Sequence, residues 1–86
     1  MAVVWTPTPD EDLERELRAA LARPGASWVS PPKPVAVRGR PGHTGWLWGR
    51  MRTAEGAWLG LATVHQGFFF ERPLLDWYRA EQLRVL

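Results

Sequence analysis

Residues Trp46–Val64 read WLWGRMRTAEGAWLGLATV, and the pattern predicts a β-hairpin. In the first half, period-2 alternation places Leu47 and Met51 on one side and Trp46, Trp48, Arg50 and Arg52 on the other. Ala54-Glu55-Gly56 suits a three-residue loop, because glycine in its last position takes the left-handed conformation at little cost. This turn sets Thr53 opposite Ala57, Arg52 opposite Trp58, Met51 opposite Leu59 and Gly49 opposite Leu61. The Leu/Met side is a natural core face. The Trp/Arg side needs a cover or a partner, and the function of the chain turns on which it has.

The hairpin sits in an all-β stretch. Val35–Arg38 reads as a short strand, and Gly39–Gly45 as a loop with three glycines and a proline. After the hairpin come the His65-Gln66-Gly67 turn and the apolar run Phe68–Phe70. Arg72-Pro73-Leu74-Leu75 reads as a break, and Trp77-Tyr78-Arg79 resumes extended structure. Ala80–Leu83 suits one helical turn, and Arg84–Leu86 closes the chain. Five short strands joined by tight turns in about fifty residues fit a small barrel.

Upstream, Thr8 is a suitable N-cap, Pro9 a suitable first helical residue, and Glu11 completes a Thr-x-x-Glu capping box. Leu13, Leu17, Ala20 and Leu21 then form one apolar stripe, so an amphipathic helix is expected over about 9–22, ended by Pro24-Gly25. Such a helix is unstable alone and must pack on something. Residues 24–34 (PGASWVSPPKP) read as a proline-rich extended connector with Trp28 as a possible anchor. Val3-Val4-Trp5 is either an edge strand or an apolar tail. The expected organisation is therefore an N-terminal segment (1–23), a connector (24–34) and a five-stranded antiparallel barrel (35–86), an α+β protein.

Composition narrows the chemistry. The 86 residues make one domain with 45% hydrophobic and 23% charged content, ordinary for a folded protein. Six tryptophans compensate for a small core. No cysteine is present, which removes disulfides and thiolate metal sites. No apolar run reaches the ~18–20 residues of a membrane span, and the N-terminus lacks the pattern of a signal peptide, so a cytoplasmic protein is expected. Ten arginines against one lysine fit a high-GC genome. Residues 1–23 hold five acids and three arginines (−2), and residues 24–86 eight basic residues and four acids (+4). That is a mild polarity, short of the dense basic stripe of a dedicated nucleic-acid binder.

The closing segment WYRAEQLRVL, the paired strands WLWGRMRTAEGAWLGLATV and the Gly39–Gly45 loop resemble the corresponding parts of small SH3-like (Tudor-like) barrels of high-GC bacteria over residues 35–86. The resemblance implies a five-stranded SH3-like barrel. It implies no single function, since such barrels bind peptides, modified side chains, nucleic acid or sister subunits.

Candidate sites follow from the residues. His43 and His65 are the only histidines, and each reads as lying in a glycine-containing loop without a neighbouring ligand at metal-binding spacing. After folding they would have Glu55 and Asp76 as conceivable partners. No phosphate-loop pattern is present. No catalytic residue, metal or cofactor is therefore expected. The expected activity is non-catalytic: a small interaction module binding a protein partner or itself through Trp46, Trp48, Arg50, Arg52 and Trp58, with Phe69 as a separate apolar contact that favours homodimerisation. The alternative is a nucleic-acid-binding barrel using the same tryptophans and arginines, with Arg38 and Arg40 as further phosphate contacts. The competing structural reading lays the helix over the face, with Leu13, Leu17 and Leu21 packed on Trp48, Ala62 and Gly60.

Overall fold

The computed structural model of the chain describes residues 6–66 and 72–86. It contains one helix, α1 (Glu11–Ala20), and a five-stranded antiparallel sheet: β1 (Ala26–Val37), β2 (His43–Arg52), β3 (Trp58–Gln66), β4 (Leu74–Arg79) and β5 (Leu83–Val85), with a 3₁₀ turn η1 (Ala80–Gln82) before β5. The strand order is β4-β3-β2-β1-β5. Four strands follow one another as a meander, and the last returns to pair with the first, Val35 to Val85 and Val37 to Leu83. The sheet curls into a half-barrel. A Cβ added at Gly60 on β3 would stand 2.8 Å from the Leu83 side chain on β5, although two strands lie between them in the sheet.

The hairpin turn forms as its residues dictate. The Thr53 N–H donates to the Ala57 carbonyl at 2.8 Å, the Thr53 hydroxyl accepts from the Ala57 N–H at 3.1 Å, and Gly56 takes φ +87°. Arg52 faces Trp58, Met51 faces Leu59 and Gly49 faces Leu61, as expected. One step further the register shifts. Leu47 pairs with Ala62 where uninterrupted pairing would place Trp48 there. Trp48 is the extra residue of a β-bulge, and an extra residue reverses which face the following side chains occupy.

The curled sheet therefore buries both faces. On the inner face Val35, Val37, Ala62 and Val64 form a core with Leu47, Tyr78 and Leu83 around it. On the outer face Leu17, Trp48 and Leu61 form a second core with Leu13, Ala20, Leu21, Trp46, Leu75 and Trp77. Helix α1 thus lies over the outer face with fully buried Leu17 at its centre.

Four details depart from the sequence expectation. The helix starts two residues later than its expected beginning at Pro9. Asp10 rather than Thr8 is the N-cap, its carboxylate accepting the Leu13 N–H at 2.7 Å; aspartate caps at least as well as threonine and adds charge at the positive helix end. The proline-rich segment is extended as expected, but from Ala26 it is the first part of β1. Its pairing with β2 is interrupted between Trp28 and Lys33, the interval holding Pro31 and Pro32, which have no N–H to donate. Leu74 and Leu75, read as a break, pair with Val64 and Thr63. His43 opens β2 and His65 lies within β3, where both were expected in loops. The expected elements at Val3–Trp5 and Phe68–Phe70 lie outside the described residues.

Gly45 is held by close packing. A Cβ there would overlap the backbone carbonyl of Thr63, and backbone cannot swing aside as a side-chain tip can. Gly45→Ala is expected to lower stability by at least about 1–3 kcal/mol, measured as a fall in the urea midpoint.

Candidate interaction surface

The bulge at Trp48 decides which expected contact residues share a surface. Trp46 and Trp48 belong to the outer core beneath the helix. Arg50 and Arg52, opposite Gly60 and Trp58, lie on the inner-face side with Leu47 and Leu83. The two glycines make the division explicit: a Cβ at Gly49 would meet Leu21 of the helix segment, and one at Gly60 would meet Leu83 and Leu47. The five residues read as one Trp/Arg face are split between two. Leu47 and Met51, expected together, are separated for the same reason.

Trp48 is only 5% exposed, and its Nε1–H donates to the Thr63 hydroxyl at 2.8 Å, which satisfies the one polar atom of the indole. Trp46 is half-buried against the same cluster. Leu13, Leu17 and Leu21 all join this outer core, and of the three sheet residues expected beneath them Trp48 is there. Ala62 and Gly60 are replaced by Leu61 and Gly49, the exchange that a one-residue bulge produces.

Trp58 is the exception to burial, with 43% of its surface exposed. Two guanidinium groups lie over its ring, Arg50 at 5.4 Å and Arg52 at 5.7 Å from the centroid. The hairpin produces this arrangement: Arg52 sits directly across from Trp58, and Arg50 lies two residues along the same face. The ion pairs among the described residues are Arg15–Asp12 and Arg18–Glu14 on the helix, so neither arginine over Trp58 has a carboxylate partner there. Beside the ring opens a cleft of about 370 Å³ whose walls include Val35, Leu47, Gly60, Leu83 and Val85. The result is an apolar trough with an aromatic plate and two cations at one end. Trp28, also exposed at 47%, stands across from Gly49 and hence on the outer side of the sheet.

The remaining expected residues lie elsewhere. Arg38 and Arg40 are exposed at the loop between β1 and β2, and Phe69 lies outside the described residues. Neither histidine makes the conceivable carboxylate pairing through Nδ1: both Nδ1 atoms are buried without a hydrogen-bond partner among the described residues, while Asp76 accepts the Trp77 N–H at 2.8 Å. Tyr78 on the inner face has its phenol pKa raised above the usual value of 10.0, first by burial and then by the Asp76 carboxylate, against a lowering by Arg40. The phenol is therefore neutral at physiological pH, a hydrogen-bonding group and not a charge. Among the described residues no group of three or more His, Cys, Asp or Glu side chains is placed to hold a metal ion, and no helix is long and apolar enough to cross a membrane.

Leu83 and Val85 of the trough, and Arg84 beside the Arg38–Arg40 loop, were not among the residues expected to make contacts. Their signal was the pairing of the closing strand with the first, which brings the two chain regions together. No protein-family model, curated protein or solved structure matches the chain.

Proposed function

We propose that the chain is a non-catalytic interaction module that binds a protein partner, or a second copy of itself, on the surface around Trp58. The observation that carries this reading is the half-exposed Trp58 ring beneath Arg50 and Arg52, next to an open apolar trough. Tryptophan and arginine dominate binding hot spots, since one supplies a large flat apolar area and the other a planar multiple donor. Guanidiniums free of carboxylate partners among the described residues suit a partner segment that carries Asp or Glu beside an apolar side chain. The meander order, the return of β5 to β1 and the 3₁₀ turn before it support an SH3-like barrel as the scaffold, and a cytoplasmic setting accords with the absence of cysteine.

The second reading is a nucleic-acid-binding barrel, favoured by the excess of arginine on the sheet and by the same ring as a stacking platform. Salt separates the two. For a protein partner, Trp58→Ala is expected to weaken binding by about 30-fold or more, in line with a hot-spot residue, with modest dependence on ionic strength. For nucleic acid, Arg50→Glu with Arg52→Glu would abolish binding, and the affinity of the parent chain would fall steeply with salt. Isothermal titration at two salt concentrations, with circular dichroism confirming that each variant is folded, reads both effects.

A further inference from the structure

A second charged feature lies apart from Trp58. Arg38, Arg40 and Arg84 line one cleft of about 470 Å³ at the loop between β1 and β2. Backbone pairing explains the convergence. Arg84 on β5 faces Ala36 on β1, and Arg38 extends that ladder by donating its N–H to the Gln82 carbonyl at 2.8 Å. Arg38 and Arg84 are thus diagonal neighbours across adjacent strands, close enough for their side chains to interact. Arg40 enters from the turn that follows, where its carbonyl accepts the His43 N–H at 3.1 Å. Among the described residues no Asp or Glu side chain lines the cleft, and the α-carboxylate of Leu86, which also lines it, is the negative group the three arginines have beside them.

The walls add to this. Gly39 and Gly42 both have positive φ, and a Cβ at either would meet nothing within 4 Å, so bare backbone borders open space. His43 lines the same cleft, and its Nδ1 is one of the buried atoms without a partner among the described residues. The volume falls within the ~300–1,000 Å³ of small-molecule sites. No Trp, Tyr or Phe is among the lining residues, so the cleft lacks the stacking platform that single-stranded nucleic acid uses.

We propose that this cleft binds a small phosphorylated molecule, its phosphoryl oxygens accepting hydrogen bonds from the guanidiniums of Arg38, Arg40 and Arg84. Guanidinium matches phosphate geometry with paired, charge-assisted donors, and three of them beside the one carboxylate of Leu86 leave enough positive charge to offset a doubly ionised phosphate. The site is independent of the Trp58 surface and stands or falls separately from it.

The test is a titration of the isotope-labelled full chain with inorganic pyrophosphate, followed by amide chemical shifts at ionic strength held constant with sodium chloride. Saturable shifts are expected at residues 38–40, 42–44 and 84. Arg38→Ala with Arg84→Ala is expected to weaken the binding by about tenfold or more, and Trp58→Ala to leave it unchanged. The single exposed change Arg84→Gln gives the same direction should the double variant not fold. Shifts reproduced by chloride alone, or undiminished in the arginine variants, would overturn the proposal. So would a single-stranded oligonucleotide that occupies residues 38–44 while pyrophosphate does not displace it.

Discussion

Trp48→Ala is expected to lower the unfolding free energy by about 3–5 kcal/mol, the range for truncating a buried tryptophan. The indole is 5% exposed, packs with Leu17 and Leu61, and satisfies the Thr63 hydroxyl through its Nε1–H. Truncation would open a cavity between helix and sheet and strip the Thr63 hydroxyl of its donor. Trp48→Phe divides the two effects: it keeps most of the apolar volume and loses the hydrogen bond, so about 1–2 kcal/mol of the loss is expected to remain. Urea denaturation of the three proteins measures these differences. A Trp48→Ala variant of parental stability that had lost only binding would place this side chain at a contact surface instead.

Leu17→Ala is expected to cost about 2–5 kcal/mol. Leu17 is fully buried and is the one helix residue at the centre of the outer core. The helix has little independent stability: ten residues are too few to persist in water without packing, even with the Asp10 cap and the Arg18–Glu14 pair. Removing its central anchor should therefore release the helix and uncover the Trp46, Trp48 and Trp77 surface. The measurable signs are a drop in helical circular dichroism, a red shift in tryptophan emission and a lower urea midpoint. Leu17→Met, close in volume, is expected to stay within about 1.5 kcal/mol of the parent. A Leu17→Ala protein with unchanged emission and stability would mean that the helix does not protect the outer face.

The two effects share one origin, the bulge at Trp48, and it also marks the limit of what the sequence disclosed. The turn chemistry of Thr53 through Ala57 was legible because it is local: one glycine with positive φ and a threonine that bonds across the loop. The register next to it followed directly. The bulge was harder to see because Trp46, Trp48, Arg50 and Arg52 alternate without a break, and period-2 reading has no means of counting an extra residue. One signal was present. Gly49 interrupts the strand, and glycine inside a strand often marks a bulge or a close approach; here it marks both, with Leu21 where a Cβ would stand.

Other parts of the candidate site were legible to differing degrees. The contact of Trp58 with Arg52 followed from the turn alone, and Arg50 joins them by the same alternation. The trough beside them needed the curl of the sheet, since Leu47, Gly60 and Leu83 come from three strands that touch only when β3 and β5 approach. Likewise, Arg84 meets the Arg38–Arg40 loop only through the pairing of β5 with β1. Long-range pairing of this kind leaves no periodic trace in the sequence. The proline-rich stretch misled for the opposite reason, because a local signal was strong. Pro31 and Pro32 forbid ladder donation at their own positions, yet the strand resumes pairing at Lys33.

Partner binding is proposed for Trp58 with its two arginines, whereas Trp48 is buried beneath the helix. The most direct test is capture from a lysate of the source cell with the parent chain and with Trp58→Ala, each divided into nuclease-treated and untreated halves, with recovered protein and nucleic acid both identified. The predicted result is a specific protein that survives nuclease on the parent chain and is lost from a Trp58→Ala variant that circular dichroism and a cooperative urea transition show to be folded. Recovery of nucleic acid, with every co-purifying protein lost on digestion, or a protein retained equally by Trp58→Ala, would contradict it.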